Sequence, residues 1–412
     1  LDSMMYLIRL VHALISLLPV WFGYTYIYAA TKNKNYALIG GLILAAHFLM
    51  PYLSVRNLIE KVSEAFLVPA VYVAYRGTRE DNVKYLLLSG ILCGLSWMVR
   101  FNVAAAVVLM PAAIWYLTRS VRPVLYFCFG ALLMLVFSGS LDVVYLGWFG
   151  GSSFNILHSF IFPLGDPPLP QPVWTFAILI LGVLFPPFSL FFLLTFFKRH
   201  VIREHFILFT TTASFFVVHS LITHKEERFI IPVFSLFIIM GTIGLWTWFS
   251  SDRKNGLMLK VFKGSVALAA VLNLVLLPVF MFNYAHKGMV EPFAYLSRQG
   301  DVRAVMIDRT ERYRLLPIAY AGLKRPPLDT VNAWSDLANR RAGAPGLDEI
   351  NYAVVYSDDR VEEHRDSLTA YLGQLEPVFH STPSTLDRLL HFLNPRHNHT
   401  NEAWVFRRMN PE

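Results

Sequence analysis

The residues best suited to binding chemistry form one short run, HKEERF at 224–229. Its five titratable members extend from His224 to Arg228 and lie between two long apolar stretches, where such charges are costly unless they face water, a headgroup or a charged ligand. Lys225 and Arg228 could bind a phosphate, while Glu226 and Glu227 could hold those cations or contact sugar hydroxyls. The alternative is a self-neutralising surface cluster that ends two helices.

A second group of charges lies at 56–64, and an isolated arginine follows at 100. Glu60 and Glu64 are four residues apart and would share one helix face. Intramembrane ionisable groups usually have a function, but internal pairing with Lys61 or Arg56 at a helix end is the alternative. Arg100 suits a phosphate because its donors are planar. It could equally extend from the bilayer to the interface as a structural arginine.

A third group surrounds Asp142, which lies inside an apolar run and therefore requires a partner or a water-filled cavity. Tyr145 and Trp148 are candidates for substrate contact, although an aromatic belt at the membrane interface is the simpler reading. The glycine- and proline-rich stretch 149–171 predicts a long, irregular loop, and such loops often cover a site.

Other familiar chemistry is missing from the sequence. The histidines are scattered without metal-ligand spacing, and no glycine-rich phosphate loop or nucleotide-binding fingerprint occurs. If the protein is a transferase, the missing nucleotide fingerprint favours a lipid-linked sugar over a sugar nucleotide as its donor, and we expect it to need no metal and no cofactor. Asn398 begins a glycosylation sequon, which we leave unassigned.

The composition is that of a polytopic membrane protein. Of 412 residues, 55% are hydrophobic and 16% charged, well below the roughly 25% charged residues of soluble domains. The net charge of +8 does not indicate nucleic-acid binding, because the basic residues lie in short loops between apolar segments. Cys93 and Cys128 both fall in apolar runs, so a disulfide framework is not expected.

Apolar segments long enough to cross a bilayer predict about ten transmembrane helices. They start near residues 5, 36, 60, 84, 102, 123, 172, 204, 229 and 261. The segments on either side of Arg100 are predicted to form a tight helical hairpin. Lysine and arginine concentrate in alternate loops, which places those loops in the cytoplasm and the HKEERF run on the lumenal or periplasmic side.

The composition changes near residue 288. We therefore predict a transmembrane domain over 1–287 and a small extramembrane α/β domain over 288–412. Strand-like runs occur at 302–308, 351–357 and 403–408, with a helix-like stretch at 361–375 between the last two. This second domain would lie on the lumenal or periplasmic side.

The run HKEERFIIPVFSLF at 224–237 closely resembles the HKE-x-RF signature of glycosyltransferase family 22, the Alg9-like and GPI-type mannosyltransferases. Weaker similarities follow the order of the family at 9–26, 55–66, 88–102 and 141–160. Two departures are that Arg56 and Glu64 are one residue further apart than is usual, and that Leu146 replaces a second tyrosine. The resemblance covers residues 1 to about 285.

The resemblance implies a GT-C fold and inverting transfer of mannose from a polyprenyl- or dolichyl-phosphate mannose to a lipid-linked glycan. It also implies that the lipid phosphate binds among a set of polar residues. These are His224, Lys225, Glu226, Glu227, Arg228, Arg56, Glu64, Arg100, Asp142 and Tyr145. Both the endoplasmic reticulum and the bacterial inner membrane fit the charge pattern.

In this family the catalytic acid lies in a first outer loop, which this chain does not contain. Its similarity to the family begins just after that loop, so we expect no catalytic residue here and no activity from these 412 residues alone. Two other functions stay open. One is a GT-C enzyme that transfers another sugar from a polyprenyl phosphate, and the other is a flippase for lipid-linked sugars. Against a flippase, no internal repeat is visible.

Overall fold

A computed structural model describes most of the chain. The described ranges are 2–161, 171–250, 256–283, 285–310, 316–321, 326–334, 346–357, 360–395 and 402–409. The chain separates into two compact units, a helical unit of Leu7–Leu277 and a sheet unit of Leu1–Tyr6 with Pro278–Glu412.

The first helices of the chain run through both apolar and charged segments. They are α1 (Asp2–Ile15), α2 (Leu17–Thr31), α3 (Lys34–Ala46), α4 (Leu49–Ser54), α5 (Ile59–Arg79), α6 (Val83–Val99), α7 (Ala104–Thr118), α8 (Val121–Leu146) and α9 (Gly151–Ile161).

The later helices are mostly shorter. They are α10 (Thr175–Val183), α11 (Phe188–Phe196), α12 (Arg199–Glu204), α13 (Phe206–Leu221), α14 (Ile231–Ser250), α15 (Gly256–Phe282), α16 (Lys287–Arg298), α17 (Val361–Leu372) and α18 (Thr385–Leu393). The strands are β1 (Ala304–Asp308), β2 (Leu328–Val331), β3 (Ile350–Val355), β4 (Leu375–Ser381) and β5 (Ala403–Arg408).

Within the described residues, five helical segments are long and apolar enough to cross a membrane. They are Ser3–Thr31, Phe101–Thr118, Val121–Leu146, Glu227–Ser250 and Gly256–Arg298. Helices α10 and α11 meet at a bend of 117° and would together make a sixth. The expected count of about ten spans stays a prediction, because several of the other apolar helices are shorter than a span and α5 carries charges in its first turns.

Helix α14 is the centre of the helical unit. Of its most apolar stretch 89% is buried inside the protein, against 17% for α8. Helices α2, α3, α5, α11 and α13 pack against it. The large apolar cluster around Val233, Leu236 and Ile239 forms the core that they share.

Helices α6 and α8 approach each other unusually closely because glycines face each other there. A Cβ added to Gly90 would lie 2.0 Å from the carbonyl oxygen of Phe127, and one added to Gly130 would lie 2.3 Å from that of Leu87. Small residues allow such backbone contact between apolar helices. This contact accounts for a difference from the predicted hairpin, since α6 packs mainly on α8 and α5, while α7 packs mainly on α13.

The sheet unit contains a five-stranded sheet in the order β2-β1-β3-β5-β4. The first three strands are parallel, and β5 runs antiparallel to both β3 and β4. Successive side chains of β3 point to opposite faces. Ala353 therefore packs with Leu368 of α17, and Val354 packs in the cluster that contains Phe293 of α16.

Candidate functional site

Glu60 brings together two arginines that are distant in sequence. It lies in the first turn of α5 and is 1% exposed. Its Oε1 atom lies 3.2 Å from a terminal nitrogen of Arg100, which follows the last residue of α6. The same oxygen lies 3.8 Å from Nε of Arg228, in a 3-10 turn at Glu227–Ile230. Two stretches predicted separately to bind anions thus meet at one buried carboxylate.

The HKEERF run adds its own acidic residue to this cluster. Nε of Arg228 lies 2.5 Å from Glu226, whose other carboxylate oxygen lies 3.1 Å from Nε2 of His224. Burial disfavours ionisation of Glu226, but the hydrogen bonds from Arg228 and His224 outweigh it and lower the pKa of this carboxyl. Glu226 is therefore ionised at neutral pH and is a second carboxylate, beside Glu60, that contacts Nε of Arg228.

Aromatic contacts also position these groups. The guanidinium of Arg100 lies 5.5 Å from the ring centroid of Phe229, which is within the range of a cation–π interaction. The His224 ring meets Phe229 edge-on at 5.9 Å. Phe229 thus links the arginine at the end of α6 to the beginning of the HKEERF run.

The cluster can bind an anion because its ion pairs orient Arg100 and Arg228 but leave both side chains partly exposed. The Arg228 side chain is 50% exposed and that of Arg100 is 19% exposed. Both described ion contacts of Arg228 run through Nε, and a guanidinium carries further N–H donors on its terminal nitrogens. A phosphate is the anion whose geometry suits two such planar groups.

Glu64, predicted as a substrate contact, lies in a buried network instead. It is 0% exposed, forms an ion pair with Lys61 and accepts hydrogen bonds from the backbone and the hydroxyl of Ser235 at 3.2 and 2.5 Å. Nζ of Lys61 also lies 3.6 Å from the sulfur of Met50. This network joins α5 to the first turns of α14, directly after the HKEERF run.

Lys225 differs from its neighbours in the run. It is 4% exposed, and its Nζ donates to the carbonyl oxygens of Gln171 at 3.1 Å and Ile222 at 2.5 Å. The side-chain amide of Gln171 donates back to the Lys225 carbonyl at 2.9 Å. The described hydrogen bonds of the Lys225 ammonium therefore go to backbone carbonyls, at Gln171 and Ile222.

The remaining predicted residues lie in other surroundings. Arg56 stacks over the ring of Tyr52 at 4.4 Å, and Glu227 is exposed. Asp142 has its partner in Ser152, whose backbone N–H and hydroxyl donate at 2.9 and 2.6 Å. Tyr145 is 82% exposed. Asn398, and residues 162–170 of the predicted covering loop, lie outside the described residues.

Sequence reasoning placed Glu60 in a charged cluster but did not predict its role as the meeting point of two arginines. The available signal was its position four residues before Glu64 on one helix face. Whether Glu60 or Glu64 faces the arginines depends on how α5 packs against α6 and α14. The spacing of the two glutamates along α5 does not reveal this packing.

Comparison with known proteins agrees with this architecture. The crystal structure of ArnT from Cupriavidus metallidurans in the apo state, a GT-C glycosyltransferase, superposes with a TM-score of 0.58 at 12% identity, covering 96% of this chain and 83% of that one. The structure of the same protein bound to undecaprenyl phosphate gives a TM-score of 0.57 at 11% identity, covering 97% and 83%. No curated protein sequence matches this chain significantly.

The sequence profile of one family matches residues 1–301, which is well over half of the chain. The fold, the long apolar helices and that match agree on an integral membrane glycosyltransferase of GT-C type. The chain belongs to the Alg9-like mannosyltransferase family.

Proposed function

We propose that this chain is a mannosyltransferase that binds the lipid phosphate of its donor. Its donor would be a polyprenyl- or dolichyl-phosphate mannose, and its acceptor a lipid-linked glycan of the GPI or oligosaccharide-precursor type. Transfer would proceed with inversion on the lumenal or periplasmic face. The observation that carries the proposal is the meeting of Arg100 and Arg228 at buried Glu60.

The chemistry requires such a site. When mannose leaves its lipid carrier, negative charge builds up on the departing phosphate, and cations already in place stabilise it without reorganising. Arg228 and Arg100 would supply that charge, and Glu60, Glu226 and Phe229 would fix their directions. A structural neighbour bound to undecaprenyl phosphate supports a polyprenyl phosphate as the ligand.

Inverting transfer also needs a carboxylate that takes the proton from the acceptor hydroxyl. Glu60, Glu64 and Glu226 each form an ion pair with a lysine or arginine of the protein itself. We therefore assign them to positioning and assign the base to none of them. Arg228 and Arg100 act on the leaving group.

The sugar is the finer point of the proposal. The similarity to ArnT keeps a second candidate open, a GT-C enzyme that transfers another sugar from a polyprenyl phosphate. Family membership favours mannose.

A donor comparison tests this choice. The full-length protein, reconstituted in lipid, would be offered polyprenyl-phosphate mannose and polyprenyl-phosphate aminoarabinose with a lipid-linked glycan acceptor. We expect transfer of mannose alone. Transfer of aminoarabinose without mannose would replace the proposal with the second candidate, and lipid-linked sugar flipping without any transfer would overturn the enzyme assignment.

A further inference from the structure

Helix α18 of the sheet unit exposes two large apolar side chains. Phe392 is 82% exposed and Leu393 67%, although Leu386 of the same helix is fully buried. Arg388 is exposed one turn before Phe392, and residues four apart share a helix face. One side of α18 therefore combines a cation with an aromatic ring, and exposed Leu393 follows Phe392 as the last residue of the helix.

The start of α18 is hydrogen-bonded to the chain segment that follows the apolar helix α15. Asp387 accepts the backbone N–H of His286 at 2.6 Å and that of Lys287 at 3.2 Å. It also completes a capping box with Ser384 at the N-terminus of α18. These contacts all lie within the sheet unit, which begins at Pro278 in the last turns of α15.

The short chain segment between the end of α15 and His286 limits how far the start of α18 can lie from lipid. Helix α15 ends at Phe282, four residues before His286, and Phe282 itself is 82% exposed. Four extended residues reach about 14 Å at most. The residues that Asp387 contacts are therefore tethered within about 14 Å of the end of an apolar helix, close enough for α18 to reach the headgroup region, which is roughly 5–8 Å deep on each side of the hydrocarbon core.

We propose that α18 is an interfacial membrane helix, with Phe392 and Leu393 in the boundary between headgroups and acyl chains and Arg388 at the lipid phosphates. The occupant of the exposed face is the bilayer that α15 crosses. Aromatic and leucine side chains beside a basic residue are the composition of helices that lie in this interface. This role is independent of the sugar that the enzyme transfers.

Depth-dependent fluorescence quenching tests the proposal in the full-length protein. Phe392→Cys carries an environment-insensitive fluorophore after Cys128→Ser removes the exposed native thiol, while Cys93 is fully buried. The matched control is Tyr371→Cys, an exposed aromatic position on α17 that is 38% accessible. Both are reconstituted in phosphatidylcholine nanodiscs containing nitroxide-labelled lipid, with iodide as the aqueous quencher.

We expect lipid nitroxide to quench the label at 392 roughly threefold more than the label at 371, and iodide to show the reverse order. Adding Leu393→Asp should reduce lipid quenching at 392. Equal lipid quenching at both positions, with open access to iodide, would overturn the proposal. Protection from both quenchers at 392 would also overturn it and indicate a protein partner. Leu393→Cys provides the same measurement should Phe392→Cys fail to give monodisperse protein.

Discussion

Glu60 and Arg100 lie 3.2 Å apart, with the carboxylate almost fully buried and the guanidinium partly exposed. Glu60 therefore has little access to water, whereas Arg100 is exposed enough to contact a ligand. Removing the carboxylate charge would leave Arg100 and Arg228 without the buried anion that both of them contact.

Glu60→Gln is predicted to reduce both stability and donor use. The loss of stability should be about 2–3 kcal/mol, below the full cost of breaking a buried pair because Arg100 retains some contact with solvent. The control is Glu80→Gln, whose carboxylate pairs with Arg76 at 2.6 Å on the surface and is 43% exposed. The control should lose at most about 0.5 kcal/mol. Thermal unfolding in detergent and the KM for donor measure the two effects, and equal shifts in the two variants would contradict the assigned role.

Arg228→Ala is predicted to lower kcat/KM for the lipid-phosphate donor by the worth of a charged hydrogen bond, about 1.5–3 kcal/mol or roughly 10- to 150-fold. Arg228→Lys should recover only part of this loss, because an ammonium lacks the planar donor pair. Arg119→Ala removes an arginine stacked on Tyr116 outside the cluster and is the control. Unchanged kinetics in Arg228→Ala would remove the HKEERF run from the donor site.

Lys225→Met is predicted to act on stability more than on donor KM. Its ammonium bonds to the carbonyls of Gln171 and Ile222, so its loss leaves buried acceptors unpaired at about 1–3 kcal/mol. Gln171→Ala removes the reciprocal bond and should give a smaller loss of the same kind. A large rise in donor KM with unchanged unfolding temperature would instead return Lys225 to phosphate binding, as the sequence alone predicts.

Gly90→Ala is predicted to destabilise the protein by about 1–3 kcal/mol, because the new methyl group would lie 2.0 Å from the backbone of α8. Gly264→Ala in α15 has nothing within 4 Å of the added carbon and is the matched control. It should be neutral or slightly stabilising. Equal unfolding temperatures for the two variants would show that α6 and α8 are less closely packed than this structure has them.

Tyr352 of the sheet unit should titrate at an unusually high pH. Burial and the hydrogen bond to Asp301 at 2.9 Å raise the pKa of Tyr352 to about 12. The folded state holds this proton more tightly than the unfolded state, whose tyrosine pKa is about 10. The stabilisation is therefore complete below pH 10 and is lost as the pH rises from 10 to 12. The late-titrating part of the tyrosinate absorbance should fall by one residue in Tyr352→Phe, and an identical titration in that variant would contradict the assignment.

The sequence predicts the residues of the proposed anion site better than it predicts their contacts. Arg100 and Arg228 were identifiable because charges beside apolar stretches need a reason. Their meeting at Glu60 was not, because it depends on the packing of three helices. Lys225 resembles its cationic neighbours in sequence, yet its ammonium bonds to backbone atoms of a segment 54 residues away.

The strand-like runs of the sheet unit were visible because their apolar residues are concentrated in short stretches, and strands lie at all three runs. The helix against which α7 packs could not be predicted from the sequence. Chain order places α6 beside α7, but glycines on α6 and α8 let those two backbones approach more closely than larger side chains allow.

In membrane proteins, an apolar helix is usually taken to be a helix on the outside of the protein. The central position of α14 separates these two properties. Its apolar residues are enclosed by other helices, while those of α8 lie largely on the outside of the protein. The tolerance of α14 to substitution should therefore depend on side-chain volume and shape, as in the interior of a soluble enzyme. Because the HKEERF run leads directly into this enclosed helix, a change of one methylene in its first turns could shift Arg228 without altering any charge.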